Sequence, residues 1–189
     1  MKLLIALSSI LFVSLHASIT LPSSFSTDFQ QIISKDKGKV IKYEGHIYFQ
    51  DSLEAIADDS GVEQNYRRSL FKWNYSSPSK KEVCTDGIQL IVVDHDLEQV
   101  ANYLIDEGID LKSILAVAKK ITTTDYKATY KDVEYLITLD KQSQLSKIVY
   151  VDNLENGVKI LFSNMNYNQV LESQLLECHA PKEYDVIKG

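Results

Sequence analysis

Residues 67–100 alternate apolar and polar side chains in short runs that are separated by turn residues. Phe71, Trp73 and Tyr75 lie on one face of an extended chain, because side chains two residues apart in a strand point the same way. A polar turn and the tight-turn pair Asp86-Gly87 divide the segment into three strands. The aromatic face has no partner within the segment, so we expect it to face a core or a lipid-like ligand.

Strand patterns continue on both sides of this segment. Residues 40–50 alternate in the same way and predict a half-buried strand. In the C-terminal third, four short segments rich in Val, Ile, Tyr and Thr predict strands joined by hairpins at residues 141–143 and at Asn156-Gly157. The tail over residues 175–187 predicts a last strand followed by a loop through Pro181.

Two stretches have helical spacing instead. Leu21, Phe25, Phe29 and Ile32 lie on one side of a helical projection, which predicts an N-terminal amphipathic helix. Residues 111–118 show the same spacing and predict a second helix that ends at the lysine pair following them.

Two further segments are less regular. Residues 99–105 fit either a helix or a strand. Residues 51–66 are acidic and interrupt the strand series, and we interpret them as a long surface loop or insertion with a short helix over residues 53–57.

Together these elements predict a mainly β fold. One or two helices cannot cover both faces of an antiparallel sheet, so the sheet must curl on itself and leave a barrel-like interior that the helices close. Such an interior holds a ligand when its side chains are too sparse to fill it.

The first residues indicate a secretory signal peptide. Lys2 supplies the positive charge, residues 3–15 form the apolar stretch, and Ala17 suits the last position of a leader over residues 1–17. No Cys follows to accept an N-terminal lipid, and no later segment is apolar enough to span a bilayer. Residues 18–189 have the length of one domain, so we expect a single soluble domain that is exported.

The net charge of the chain limits the classes of partner that it can bind. Without Lys2, the chain has 19 basic and 26 acidic side chains, a net charge of about −7. Such an acidic protein is a poor ligand for nucleic acids and for anionic membrane surfaces. Neutral, cationic or hydrophobic partners suit an acidic protein better.

Cys84 and Cys178 are the two cysteines of the chain. In an oxidising compartment they form a disulfide, and otherwise they are buried thiols that fill apolar space. No metal site is expected, because neither has a second Cys or His at ligand spacing.

Groups for catalysis are scarce. Asp94-His95-Asp96 is a consecutive run whose side chains cannot converge on one point, so we expect a solvated turn. The sequence contains neither a nucleophile-elbow motif nor a glycine-rich phosphate loop. These absences disfavour an enzyme.

The remaining candidate site is apolar, and on pattern alone it is either an ordinary β core or a cavity for lipid. Its strand residues are Ile47, Phe49, Phe71, Trp73, Tyr75, Leu90 and Val92. Arg67 and Arg68 begin the most apolar strand. They are either a solvated strand end or donors to the backbone carbonyls of another element, a role that suits the five donors of guanidinium.

The order of short motifs resembles the LolA family of outer-membrane lipoprotein carrier proteins, from about residue 25 to 187. The motifs are Arg67, Leu70-Phe71-Lys72-Trp73, Ser77-Pro78, Thr85-Asp86-Gly87, Val93-Asp94 and Leu97-Glu98-Gln99-Val100, with echoes at Gly45 and Phe162-Ser163-Asn164. The chain departs from the family in having Arg67-Arg68 for Arg-Pro, the 51–66 segment, and Leu176 and Cys178 where Phe is usual.

This resemblance implies an incomplete antiparallel β-barrel of about 11 strands closed by a helical lid. It makes residues 99–105 a strand and puts residues 111–118 in the lid, which Arg67 or Arg68 holds shut. The acyl-chain cavity then gains Leu111, Ile114, Leu115 and Phe162.

The implied function is a periplasmic carrier, not an enzyme, that takes lipidated lipoproteins from an inner-membrane ABC exporter to an outer-membrane acceptor. A monomer without a cofactor is expected. The alternatives are a lipid-binding or lipoprotein-sensing module of the same fold that does not shuttle, and a small exported hydrolase.

Overall fold

The computed structural model describes residues 19–35, 38–57, 61, 63–85, 89–104 and 111–188. Within these ranges the chain forms twelve strands and one α-helix, α1 (Leu111–Ala116). The strands are β1 (Ser24–Ser34), β2 (Val40–Ala57), β3 (Glu63–Ser77), β4 (Lys81–Thr85), β5 (Gln89–Asp94), β6 (Gln99–Leu104), β7 (Lys119–Lys120), β8 (Asp125–Tyr130), β9 (Val133–Leu139), β10 (Leu145–Val151), β11 (Gly157–Tyr167) and β12 (Asp185–Lys188). In the described part of the chain, no helix has the length and hydrophobicity needed to cross a membrane.

All twelve strands belong to one sheet, in the order β12-β6-β5-β4-β3-β2-β1-β11-β10-β9-β8-β7. Neighbouring strands are antiparallel, except that β12 runs parallel to β6. Among the described strands, β12 and β7 form the two edges, so the sheet is an open barrel. The predicted fold class is therefore confirmed, with twelve strands where about 11 were expected.

The concave face of the sheet carries the core. Cross-strand partners share a face, so the pairs Phe25↔Phe49 and Phe49↔Phe71 place three phenyl rings in one row. The buried members of the core are Phe25, Phe29, Ile47, Phe49, Ile114, Leu115, Ala118, Tyr126, Ala128, Tyr135, Ile137, Leu145, Ile148, Val158, Ile160 and Phe162.

Helix α1 covers this concave face. It lies in the chain between β6 and β7, and its Leu111 and Ile114 share a cavity lining with side chains of β3, β9, β10 and β11. Its Ile114 and Leu115 are each only 1% exposed. A six-residue helix is not stable alone, so its packing on the sheet holds it in place.

The N-terminal segment is strand β1, so the prediction of a helix there is wrong. A spacing of four residues, as between Phe25 and Phe29, satisfies period two as well as a helical turn. β1 pairs with β2 on one side and with β11 on the other, and two hydrogen-bonded ladders outweigh the local helical pattern.

The segment over residues 51–66 also differs from expectation. β2 continues to Ala57, and its seven pairs with β3 from Asp51↔Ser69 to Ala57↔Glu63 replace the short helix expected over residues 53–57. The remaining part, residues 58–60 and 62, lies outside the described residues. The acidic segment is therefore a prolongation of the β2–β3 hairpin.

Of the remaining predictions about single elements, some are correct and others are wrong. Residues 99–104 form a strand, as the family resemblance implied. The lysine pair expected to end the helix forms β7, and the hairpin turn expected at Asn156-Gly157 occupies residues 152–156, where the Asp152 carboxylate accepts the Asn156 amide at 2.8 Å. The last strand follows Pro181 instead of preceding it, and the Asp86-Gly87 turn lies outside the described residues.

Residues 176–184, here called the C-terminal strap, cover the convex face of the sheet. Cys178 forms a disulfide with Cys84 of β4, over a sequence separation of 94 residues. On the same face, the Lys72 ammonium donates to the Glu177 carbonyl oxygen at 2.8 Å. Val93 lies on this face too and is fully buried. The strap leads directly into β12, so it positions that edge strand.

Glu82 is the second attachment point of the strap. Its carboxylate accepts the His179 amide at 2.9 Å and pairs with Lys72 at 3.0 Å. Burial alone would raise the pKa of Glu82, but the hydrogen bonds from His179 and Lys72 outweigh burial and hold the pKa below its usual value. Glu82 is therefore ionised at neutral pH, as its two donors require.

Gly45 is needed where β2 shifts register against β3. A Cβ at this position would lie 2.0 Å from the Asn74 carbonyl oxygen and 2.9 Å from the Phe29 ring. The carbonyl belongs to the backbone of β3, so it cannot move away without disturbing the ladder.

We predict that Gly45→Ala lowers the free energy of unfolding by about 1–3 kcal/mol, the usual cost of overpacking. Urea denaturation measures it. Gly157→Ala is the matched control, because its added Cβ meets its nearest neighbour at an ordinary 3.8 Å. Equal stabilities for the two variants would contradict the steric argument.

We predict that Cys84→Ala/Cys178→Ala lowers the free energy of unfolding by about 3–5 kcal/mol, because the unfolded chain loses a long covalent loop. Hydrogen exchange should show the largest loss of protection in the strap and in β12. Reduced wild-type protein should behave as the double variant does, and unchanged protection in the strap would refute its role.

Candidate functional site

The site is an apolar cavity between α1 and the concave face of the sheet. Its free volume with α1 in place is about 10 Å³, room for about one water molecule. The helix contributes two side chains and strands β3, β9, β10 and β11 contribute the others. The lining residues are Trp73, Leu111, Ile114, Tyr135, Ile148, Tyr150, Ile160 and Phe162. An enclosure of aliphatic and aromatic side chains offers dispersion contacts and burial, and it suits hydrocarbon.

Aromatic packing builds the wall beside this cavity. The Phe29 ring lies 5.0 Å from the Trp73 ring and 5.1 Å from the Tyr75 ring, both edge to face. Phe25 stacks on Phe49 at 5.0 Å. Such edge-to-face and offset pairs fix the rings in place beyond what burial alone achieves, so this wall is the rigid side of the site.

The polar groups near the cavity remain neutral. Burial raises the pKa of the Tyr75 and Tyr150 hydroxyls well above the usual value. The Tyr75 hydroxyl donates to the Gln31 side-chain oxygen at 3.4 Å. A lining without charge disfavours ionic ligands and places no ion in contact with a hydrocarbon chain.

The structure brings together nine of the residues that the sequence indicated for an acyl cavity. All nine belong to the core cluster or pack against it: Ile47, Phe49, Phe71, Trp73, Tyr75, Leu111, Ile114, Leu115 and Phe162. Leu90 and Val92 share the concave face with Phe71 and Trp73 by register, but they are half-buried and lie outside this cluster.

Four lining residues were missed from the sequence: Tyr135, Ile148, Tyr150 and Ile160. Their strands were predicted, but their inward face was not assigned. The signal was present, because Tyr150 lies two residues after Ile148, and Ile160 two residues before Phe162, so each pair shares a strand face. The strands β9, β10 and β11 are also joined by consecutive hairpins.

Arg67 and Arg68 were proposed to hold the lid, and the structure describes the side chain of only one of them. The side chain of Arg67 lies outside the described residues. Arg68 is half-buried and opposite in parity to Ser69 and Phe71, so it lies on the face away from α1.

A polar contact between the helix and the sheet was not anticipated. The Lys112 ammonium of α1 donates to the Asp51 carboxylate of β2 at 2.8 Å. The Ser69 hydroxyl donates to the other oxygen of the same carboxylate at 3.1 Å. This pair could not be predicted, since the hairpin that positions Asp51 was expected to be a loop.

Other ionisable groups form structural pairs that do not line the cavity. His46 Nδ1 lies 2.7 Å from the Asp28 carboxylate, and hydrogen bonds from Asn164 and then His46 lower the pKa of Asp28. The predicted turn after Asp94 is present, although Asp94 itself pairs with Lys81 at 2.9 Å.

One group of metal-ligand atoms occurs among the described residues, formed by Glu82, Cys84 and Cys178. The two sulfur atoms are bonded to each other, so neither can act as a thiolate ligand. This group therefore serves the strap and offers no site for chemistry.

Comparisons with known proteins agree with this geometry. The sequence model described as Outer membrane lipoprotein carrier protein LolA matches residues 22–178. The outer-membrane lipoprotein carrier protein of Campylobacter jejuni is 31% identical over 166 residues, covering 88% of this chain and 87% of the relative. The protein of that name from Wolinella succinogenes is 28% identical over 165 residues, covering 87% of each.

Among solved structures, the LolA superfamily protein NE2245 from Nitrosomonas europaea aligns with a TM-score of 0.45 and 10% identity, over 85% of this chain and 93% of that chain. A likeness this distant has no bearing on function. The family match is different in kind, since it covers more than four-fifths of the chain. The chain therefore belongs to the LolA family of outer-membrane lipoprotein carrier proteins.

Proposed function

We propose that this protein is a periplasmic carrier that binds the acyl chains of lipoproteins in the apolar interior beneath α1. It receives them from an inner-membrane ABC exporter and delivers them to an outer-membrane acceptor. The observation that carries the proposal is the wholly aliphatic and aromatic cavity between a curved sheet and one short helix. The names of the relatives support the same role.

The need for such a carrier follows from the cost of exposing hydrocarbon to water. Each exposed methylene costs about 0.8 kcal/mol, so one chain of roughly fifteen methylenes costs about 12 kcal/mol. A lipid-modified protein cannot cross an aqueous gap at a useful rate against that cost. A soluble protein that surrounds the acyl chain in place of water removes this cost.

The cavity is too small for this task while α1 is closed. Its free volume of about 10 Å³ is far below the roughly 300–1,000 Å³ of pockets that bury drug-sized ligands. Binding therefore requires α1 to move, which exposes the buried side chains of Ile114 and Leu115 together with the sheet beneath them. An acyl chain then covers the surface that the helix has left.

Exchange between helix and lipid also explains release. The closed state buries the apolar face of α1, so the helix competes with the acyl chains for the same surface. A carrier needs this competition, because a chain bound without it would not be given up. The sequence has no glycine-rich phosphate loop, and we propose that the energy input occurs at the exporter.

The decisive experiment is transfer in a reconstituted system. The purified protein is incubated with inner-membrane vesicles that contain a labelled lipoprotein and the exporter, and the soluble fraction is then presented with acceptor-containing vesicles. A carrier releases label from the first and delivers it to the second. A sensing module binds lipid without delivery, and a protein that copurifies with no lipid or lipoprotein by mass spectrometry is neither.

We predict that Ile160→Phe and Ile160→Trp reduce the affinity for a fluorescent fatty acid by about four- to fifteenfold. The larger side chains occupy space in the site, and the loss corresponds to one to two methylenes of the ligand that are no longer buried. Fluorescence titration measures it. Leu136→Trp adds the same bulk at a position that is 45% exposed and should leave the affinity unchanged. Equal affinities for all variants would place the ligand elsewhere.

We predict that Arg67→Leu weakens the closed state and impairs handover, because each charge-assisted hydrogen bond contributes about 1.5–3 kcal/mol. The rate of transfer to the acceptor is the readout. Arg68→Leu is the control, since Arg68 lies on the face away from α1. Wild-type transfer by Arg67→Leu would exclude this arginine as a lid fastener.

A further inference from the structure

The contact between Lys112 and Asp51 is the feature from which we argue. Lys112 lies on α1, and Asp51 lies on β2 two residues beyond Phe49 of the core row. Their charged atoms are 2.8 Å apart, and the side chains are 40% and 17% exposed respectively. The acceptor is therefore mostly sheltered, while the donor belongs to the helix that has to move.

Asp51 is held in a fixed position. Its backbone amide donates to the Ser23 carbonyl oxygen at 2.7 Å, and its carboxylate accepts the Ser69 hydroxyl from the opposite strand. A carboxylate fixed from two sides loses little conformational entropy when it pairs with a lysine. It is a preformed acceptor for the helix.

Asp51 also lies where the β2–β3 hairpin leaves the rest of the sheet. The pairing of β1 with β2 ends at Ser24↔Gln50, and that of β4 with β3 ends at Phe71↔Thr85. Beyond these points the two strands pair with each other through seven further pairs, a projection of about 23 Å at the usual strand rise. We call this projection the β2–β3 arm.

We propose that Asp51 and Lys112 form an electrostatic latch that holds α1 over the acyl site. Asp51 is a positioning residue in this role, and the proposal rests on the carrier function proposed above. The latch joins α1, the helix that has to move, to Asp51 at the base of the β2–β3 arm. The position of that base therefore influences whether α1 is closed. The latch acts beside the apolar packing of α1.

The physics of the pair suits a latch. A partly exposed ion pair contributes little, and its charges are solvated as soon as the helix moves away. The latch therefore favours the closed state without making opening slow. Salt shortens the Debye length from about 10 Å at 0.1 M to about 3 Å at 1 M, so the latch must weaken as ionic strength rises.

The test measures access to the apolar interior without a lipoprotein. The environment-sensitive dye N-phenyl-1-naphthylamine is mixed with the protein in stopped flow, and the rate of fluorescence increase reports opening. Asp51→Asn and Lys112→Gln should each raise the rate by about two- to fivefold, the range of partly exposed ion pairs. Glu134→Gln breaks the Lys127–Glu134 pair on the sheet and is the matched control, expected to have no effect.

A second measurement separates a latch from a loss of fold. High salt should speed dye entry into the wild-type protein and leave Asp51→Asn unchanged, and the reversed pair Asp51→Lys/Lys112→Asp should restore part of the slow entry. Suppose that both single variants unfold at the wild-type temperature and admit dye at the wild-type rate. The latch proposal is then overturned, while the carrier proposal stands. If the wild-type protein binds no dye or lipid at all, the carrier proposal fails first.

Discussion

The structure depends on an imbalance between a large apolar concave face and the single short helix that covers it. Twelve strands satisfy one another's backbone hydrogen bonds, and the sheet needs no helix for that purpose. Its inner side chains still have to be kept from water, and the six residues of α1 contribute only two fully buried side chains to that cover. The interior is therefore closed by a contact that is small relative to the surface it protects, which is the property that a site for hydrocarbon exchange requires.

Much of this arrangement follows from the sequence. Period-two alternation identified most strands, and the aromatic row Phe71, Trp73 and Tyr75 was placed correctly against the core. The failures have physical causes. Phe25 and Phe29 are four residues apart, a spacing that both a helix and a strand accept, and only the pairing of β1 on both sides decides between them. The Asp51–Lys112 contact joins positions 61 residues apart, and no local pattern signals a contact of that kind.

The two faces of the sheet have separate tasks. The concave face holds the neutral, apolar site, whereas the convex face carries the disulfide, the Lys72–Glu82 pair and the C-terminal strap. This division keeps the ions that attach the strap away from the region proposed for acyl chains. It also means that the strongest fixed contacts lie where nothing has to move, so stability and lid motion make few demands on the same residues.

The disulfide links the maturation of the protein to its surroundings. A reducing compartment keeps cysteines as thiols, so under the periplasmic location proposed above the bond between positions 84 and 178 closes only after the chain has left the cytosol. Until then, Leu176 and the strand β12 are attached to the sheet by noncovalent contacts alone. Under that proposal, the last edge of the sheet is secured only after export, in the compartment where the proposed carrier would act.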